Sequence, residues 1–205
     1  YDMKELFENV KKISPQTKIV VDNCYGEFVD DIEPTNVGAD VIVGSLIKNP
    51  GGGLAPTGGY IVGSEEAIDM ISARYTNPSL KLEIGSFEQG YRLFYQGLFM
   101  APHTVAQALK GTALVGQIME DKGYKVIPSN DEQPEDIVKS VIFNTADELI
   151  KFVQTVQAVS PIDGYVLPIP WDMPGYTDQV IMAAGTFVGG SSIELSCDSP
   201  IRAPY

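Results

Sequence analysis

Asp22 closes the apolar run Val20-Val21-Asp22, and Ser45 and Lys48 close and follow a second one, Val41-Ile42-Val43-Gly44-Ser45-Leu46-Ile47-Lys48. A glycine-rich run then spans Gly51-Gly52-Gly53-Leu54-Ala55-Pro56-Thr57-Gly58-Gly59. A lysine amine can capture a carbonyl as an imine, and a carboxylate can hold a proton on a ring nitrogen. Hydroxyls and glycine-loop amides can cradle a phosphate. Pyridoxal phosphate needs that set: an amine to carry it, a carboxylate that keeps its ring electron-withdrawing, and donors for its phosphate.

Taken singly, each residue has a structural reading. Asp22 can cap a turn at a strand end, Lys48 can be a solvated lysine, and the glycine run can be a hairpin or a flexible loop. The run is not a phosphate loop of the Gly-Lys-Ser/Thr kind, because that triplet is missing at the required spacing. The combination at the ends of consecutive strands is what carries information.

The elements that must position these residues alternate. A helix opens the chain over residues 1–12, with Leu6, Val10 and Ile13 on one face. Strands follow at 17–22, 38–45 and 59–63, then a helix over 64–75 with Ser64 as its N-cap and Glu65 and Glu66 at its positive end. Continuous apolar strands between helices predict a mostly parallel sheet of α/β type, whose carboxyl ends are where such sheets place ligands. Residues 76–102 are turn-rich and aromatic. A long helix is predicted over 103–122, then strands at 125–127 and 136–144, a helix over 145–158, and strands at 164–167, 179–186 and 192–197. The spacing divides the chain into a unit at 1–102 and an α+β unit at 103–205, bridged by the long helix.

Composition limits the partners. The chain has 205 residues, of which 27 are acidic and 14 basic, for a net charge of −13. Such a surface repels phosphate backbones and anionic lipid, so neither nucleic acid nor a membrane is an expected partner. No apolar run approaches the roughly 20 residues of a membrane span, and no signal peptide is read. Two cysteines, Cys24 and Cys197, are too few for a disulfide framework. A cytoplasmic location follows as the expectation. The opening at Tyr1, inside a helical pattern, and the unformed end at 200–205 lead us to expect a partial chain.

Asp22-Asn23 followed by Ser45 and Lys48 resembles the fold type I pyridoxal-phosphate enzymes, those with the aspartate aminotransferase fold. Asp22-Asn23 is similar to the cystathionine lyase and synthase branch, whereas Asp22 with Tyr25 follows the aminotransferase pattern. Four segments are similar to the cystathionine β-lyase or methionine γ-lyase-like "aluminium resistance" proteins. They are Val21 to Phe28 (VDNCYGEF), Gly44 to Gly53 (GSLIKNPGGG), Gln96 to His103 (QGLFMAPH) and Gly190 to Ser196 (GSSIELS). The resemblance implies the C-terminal part of a pyridoxal-phosphate transferase-like large domain followed by a small α+β C-terminal domain.

It also implies roles. Lys48 would form the Schiff base with pyridoxal 5′-phosphate and act as general base and acid, with its pKa lowered for the task. Asp22 would pair with the ring nitrogen, Ser45 would touch the phosphate, and Tyr25 or Asn23 would donate to the 3′-oxygen. The glycine run would pack near the cofactor or a neighbouring subunit. Arg202 or Arg92 would bind a substrate carboxylate, or form a surface salt bridge. His103 reads as a helix cap, Cys24 as packing and Trp171 as part of a surface turn. The implied activity is carbon–sulfur bond cleavage in a small-molecule amino acid such as cystathionine, cysteine or methionine, by a homodimer or homotetramer. Transamination or aldol cleavage on the same scaffold, or a non-catalytic binding domain, are the alternatives. The phosphate-binding turn and the residue stacked on the ring are expected outside this stretch of sequence.

Overall fold

Asp2 opens the first helix, α1 (Met3–Ile13), its carboxylate accepting the backbone N–H groups of Lys4 and Glu5. These are donors that a helix start leaves unpaired. The computed structural model describes residues 2–83 and 85–205; Tyr1, where the sequence reading begins this helix, lies outside the described residues. The buried face of α1 is only in part the expected one: Val10 packs against the core, whereas Leu6 and Ile13 do not. Phe7 is its buried residue and packs with Ile19, Ala39 and Ile42, while Leu6 and Ile13 face outward. An aromatic ring one position along removes more apolar surface than Leu6 or Ile13 offers, and so sets the rotation.

Three strands carry the site: β1 (Val20–Asp22), β2 (Val41–Ser45) and β3 (Gly59–Gly63), hydrogen-bonded in that order. β1 and β2 are parallel, with Val20 opposite Val41 and Asp22 opposite Val43. β3 runs antiparallel to β2, from Ser45 opposite Gly59 to Val41 opposite Gly63. The described sheet is therefore mixed rather than mostly parallel. The β2–β3 connection contains a single 3-10 turn at Asn49–Gly51, and a parallel return needs a crossover, usually helical.

Asp40 locks α1 to this sheet. Its Oδ2 accepts from Lys11 Nζ at 2.8 Å and from the Ile19 N–H at 2.7 Å. These two donors hold its carboxyl below the usual carboxylate range. β3 leads into α2 (Glu65–Tyr75), and the Ser64 hydroxyl caps it by accepting from the Ala67 N–H, as the sequence predicts.

The long helix differs from expectation. α3 spans Arg92–Asp121 with Pro102 inside it, so His103 lies within the helix and is not its cap. Pro102 marks a boundary in the sequence because it lacks an N–H. The turn after Lys48 packs against the helix before Pro102, at Gly97 and Ala101, and after it, where the Thr104 hydroxyl donates to the Gly52 carbonyl at 3.4 Å. A β-carbon on Gly52 would strike the Gly97 carbonyl oxygen and come within 3.2 Å of the Ala101 nitrogen. That closeness is where the glycine run goes: it receives the α3 backbone.

Beyond α3, β4 (Lys125–Ile127) pairs antiparallel with β5 (Ser140–Ile142), and β6 (Val180–Ala183) with β7 (Cys197–Pro200). They surround α4 (Ala146–Val159) over a core that includes Leu149, Val153 and Ile181. No strand forms at 164–167, and β7 starts where the expected strand at 192–197 ends. Residues 190–196 instead loop back toward the first half. Ile193 joins Val105 of α3 and Ile137 in a cluster that also touches Tyr25 and Val29. Trp171 sits on the surface, tied to Val180 by a pair of 3.0 Å backbone hydrogen bonds. Among the described residues, no helix is long and apolar enough to cross a membrane.

Candidate functional site

Parallel pairing brings the ends of β1 and β2 together, and with them the residues that the sequence singles out. Asp22 ends β1 opposite Val43. The Asn23 N–H continues the ladder by donating to the Val43 carbonyl at 2.8 Å. Ser45 ends β2, and its carbonyl accepts from the Lys48 N–H at 3.3 Å. The turn so formed swings the Lys48 side chain back over the residues after β1. Lys48 Nζ stands 4.3 Å from the centroid of the Tyr25 ring, a cation–π contact.

The charges around this contact are arranged with opposite signs. Asp22 Oδ1 accepts from the Cys24 N–H at 3.1 Å. Hydrogen bonds from the Cys24 thiol and this N–H hold the Asp22 carboxyl below the usual range, and the Lys48 charge adds to them. Asp22 is thus an exposed, firmly ionised carboxylate. Burial and the hydrogen bond to Asp22 push the Cys24 thiol up, so it stays protonated, in keeping with a packing role. Partial burial pulls the Lys48 amine down, but its contacts with Tyr25 and Cys24 outweigh that, and the net shift is upward. The lowered value that the resemblance implies for Lys48 is not set by its neighbours in this chain. Among the described residues Lys48 forms no ion pair.

Tyr25 and Asn23 part company. Tyr25 keeps its ring beside Lys48, and its hydroxyl donates to Ser192 Oγ at 3.2 Å. The Asn23 side chain turns inward, 7% exposed, and its amide donates to Glu33 Oε2 at 2.7 Å. Tyr25 is therefore the candidate donor to a bound ring, and Asn23 is committed to the protein interior. Ser45 Oγ accepts from the Ile47 N–H at 3.3 Å, which leaves its hydroxyl hydrogen for an incoming oxygen atom.

The two arginines lie elsewhere. Arg202 follows β7 and pairs with Asp178 at 3.6 Å, while Arg92 is an exposed residue at the start of α3. Among the described residues, no hydrogen bond or ion pair joins either to Asp22, Tyr25 or Lys48. No cluster of three or more His, Cys, Asp or Glu among the described residues could hold a metal ion.

Sequence reasoning missed two buried polar residues behind the site, Asn49 and Glu27, and the half-buried Tyr60 that pairs with Glu27. Asn49 is fully buried, and its amide donates to the carbonyls of Tyr25 and Glu27 at 2.9 and 3.0 Å. Glu27 is 4% exposed and its Oε1 accepts from the Tyr60 hydroxyl at 2.6 Å. Burial raises the Glu27 carboxyl above its usual range, and burial with the Glu27 hydrogen bond keeps the Tyr60 phenol protonated. Gly44 leaves room for this pair, since a β-carbon there would lie 2.6 Å from Glu27 Oε1. The one available signal was position: all three residues flank Asp22 or Lys48 or lie on the paired strand.

A family model described as methionine gamma-lyase matches residues 1–205. An uncharacterised protein of Bacillus subtilis is 49% identical over 204 residues, which is 100% of this chain and 48% of that protein. A carbon–sulfur lyase involved in aluminium resistance from Clostridium novyi has a solved structure with 53% identity and a TM-score of 0.92. The match covers 100% of this chain and 48% of that one. A structure from Clostridium acetobutylicum, whose name provisionally calls it a cystathionine β-lyase involved in aluminium resistance, is 46% identical. Its TM-score is 0.93, over 100% of this chain and 47% of the other. The chain thus spans about half the length of these relatives, and it corresponds to the C-terminal half of the solved structures.

Proposed function

This chain belongs to the methionine γ-lyase family, and on that premise we propose that it carries the cofactor lysine of a pyridoxal-phosphate-dependent carbon–sulfur lyase. The substrate class is a sulfur amino acid such as cystathionine, cysteine or methionine. The observation that carries this reading is Lys48 Nζ poised 4.3 Å over the Tyr25 ring, beside the ionised Asp22. Family membership implies the cofactor, and the residues present fit it. Lys48 is an amine without an ion-pair partner among the described residues, Asp22 is an exposed carboxylate held ionised, and Ser45 has a spare donor. In this reading the scaffold is the C-terminal part of the aspartate-aminotransferase-type large domain with its small α+β domain.

Pyridoxal phosphate, when bound, supplies an electron sink for a carbanion at the substrate α-carbon. Lys48 Nζ takes the α-proton and later returns a proton to the departing or remaining fragment. Asp22 holds a proton on the ring nitrogen by remaining ionised itself. Tyr25 donates its hydroxyl hydrogen to the ring oxygen, a switch of partner from Ser192. Ser45 donates to the phosphate. Because its neighbours in this chain raise the Lys48 amine, the lowering needed for proton abstraction falls to the bound group and to residues beyond this chain. Arg202 is the carboxylate-binding candidate, since its exposed ion pair is weak enough to exchange.

The test is the visible spectrum of the full-length protein with pyridoxal phosphate, before and after borohydride, followed by peptide mapping. A reduced cofactor label on Lys48 supports the reading, and label on another lysine refutes it. Release of thiol and keto acid from a sulfur amino acid marks lyase chemistry, whereas pyridoxamine phosphate alone marks transamination. A homodimer or homotetramer belongs to the same proposal. The apolar residues that α3 exposes, among them Tyr95 and Phe99, support a further contact. Light scattering that finds a stable monomer would remove it.

A further inference from the structure

We propose that Asn49 is a positioning residue that holds the Tyr25 ring against Lys48, by clamping the Tyr25–Glu27 turn with both hydrogens of its side-chain amide. The inference rests on the reading of Lys48 as the cofactor lysine and names what keeps that lysine's aromatic partner in place.

The turn needs a clamp. Tyr25 has a φ of 77° and Phe28 a φ of 63°, in the left-handed region that side-chain-bearing residues avoid. A backbone held there costs energy and persists only where the surroundings over-determine it. Asn49 supplies that determination from the residue directly after Lys48. It is 0% exposed, and Nδ2 donates to the Tyr25 carbonyl at 2.9 Å and the Glu27 carbonyl at 3.0 Å. The opposite orientation of the amide would set Oδ1 against both carbonyls, so the pattern requires the donor end. Oδ1 is buried without a partner, a cost that a purely local cap would not need to bear.

Two further contacts make the clamp rigid. The Tyr25 carbonyl also accepts from the Ile137 N–H at 3.2 Å, which ties the turn to the second half of the chain. Asn49 begins the 3-10 turn Asn49–Gly51, and Gly51 is held under Gly97 of α3. The amine and the clamp therefore sit on one fixed segment. No ordinary substitute matches the chemistry. Aspartate would face two carbonyls with lone pairs, and glutamine is a methylene too long for a site with no free surface.

The groups that face Lys48 are the Asp22 carboxylate, the Cys24 thiol and the Tyr25 side chain. Loss of Tyr25 from this set removes a contact that favours the charged amine, so the amine should lose its proton more readily. The experiment is competitive acylation of Lys48 in the full-length apoprotein near neutral pH, read by mass spectrometry. Asn49→Ala should raise Lys48 labelling severalfold over wild type. Tyr25→Leu should raise it as much, and the double variant should add nothing further. If Asn49→Ala does not fold, Asn49→Ser, which keeps one donor, should show a smaller rise in the same direction. A folded Asn49 variant whose Lys48 labels at the wild-type rate would overturn the proposal, however much stability it lost. Borohydride mapping of the wild type separates the two readings. Label on Lys48 with unmoved acylation in the variant sinks the clamp alone, and label on another lysine sinks both.

Discussion

Gly97 of α3 lies against Gly51 of the lysine turn so closely that a β-carbon on Gly97 would collide with the Gly51 carbonyl oxygen. The obstacle is backbone, which no rotamer change relieves. Gly97→Ala should therefore lose about 1–3 kcal/mol of stability and displace the segment carrying Lys48. Gly111, on the same helix, is exposed and a β-carbon there would meet nothing within 4 Å. Gly111→Ala should gain up to about 1 kcal/mol from helix propensity. Urea unfolding of the two variants checks the pair, and equal effects would mean that the contact between α3 and the turn carries no strain.

Glu27 makes the site's stability depend on pH in an unusual direction. Its folded carboxyl lies above the ordinary value of 4.5, because burial disfavours the charge. The favourable contribution is therefore complete below about pH 4.5 and is lost as pH rises through the raised folded value. Glu27→Gln keeps an oxygen for the Tyr60 hydroxyl and cannot ionise. Its melting temperature relative to wild type should rise as pH increases above the ordinary carboxylate value. A difference that does not change with pH would show that Glu27 is not buried as a neutral acid.

Asp40 has the opposite sign. Its carboxyl is held low by Lys11 and the Ile19 N–H, so its contribution is present above the unfolded value and lost as pH falls through the folded one. Asp40→Asn should cost about 1–2 kcal/mol at neutral pH, with the deficit shrinking in acid. Denaturant unfolding at several pH values reads this directly.

The parts of this molecule legible in its sequence are those that short-range pattern controls. β3 at 59–63 and β4 at 125–127 fall where alternation and β-branched residues put them, and Ser64 caps α2 through a hydroxyl that local spacing reveals. Asp22, Ser45 and Lys48 stand out because strand ends are visible as changes of residue type. What was not legible depends on distant contacts. The antiparallel turn of β3 is decided by the length of its connection. The early start of α3 is decided by Gly51 and Gly52 against Gly97, and the buried face of α1 by where the Phe7 ring finds cover. Asn23 and Tyr25 are two residues apart and equally polar in a sequence. One hydrogen bond to Glu33 takes the first inward, and the Lys48 contact keeps the second at the site.

Arg202 and Asp178 form an exposed ion pair at 3.6 Å, with side-chain exposures of 65% and 35%. Such a pair contributes less than about 1 kcal/mol, so Asp178→Ala should leave the melting temperature nearly unchanged. A guanidinium that gives up so little on leaving its partner can turn to a substrate carboxylate, where two charge-assisted hydrogen bonds replace one loose contact. If Arg202 binds substrate in the full-length enzyme, Arg202→Ala should lower kcat/KM by roughly 10- to 100-fold, mostly through KM. Arg202→Lys should recover little of this, because an ammonium lacks the bidentate fork. Arg92→Ala should by contrast leave KM unchanged, since Arg92 stands at the exposed start of α3. A rise in KM with Arg92→Ala and none with Arg202→Ala would exchange their roles and place the substrate carboxylate beside α3.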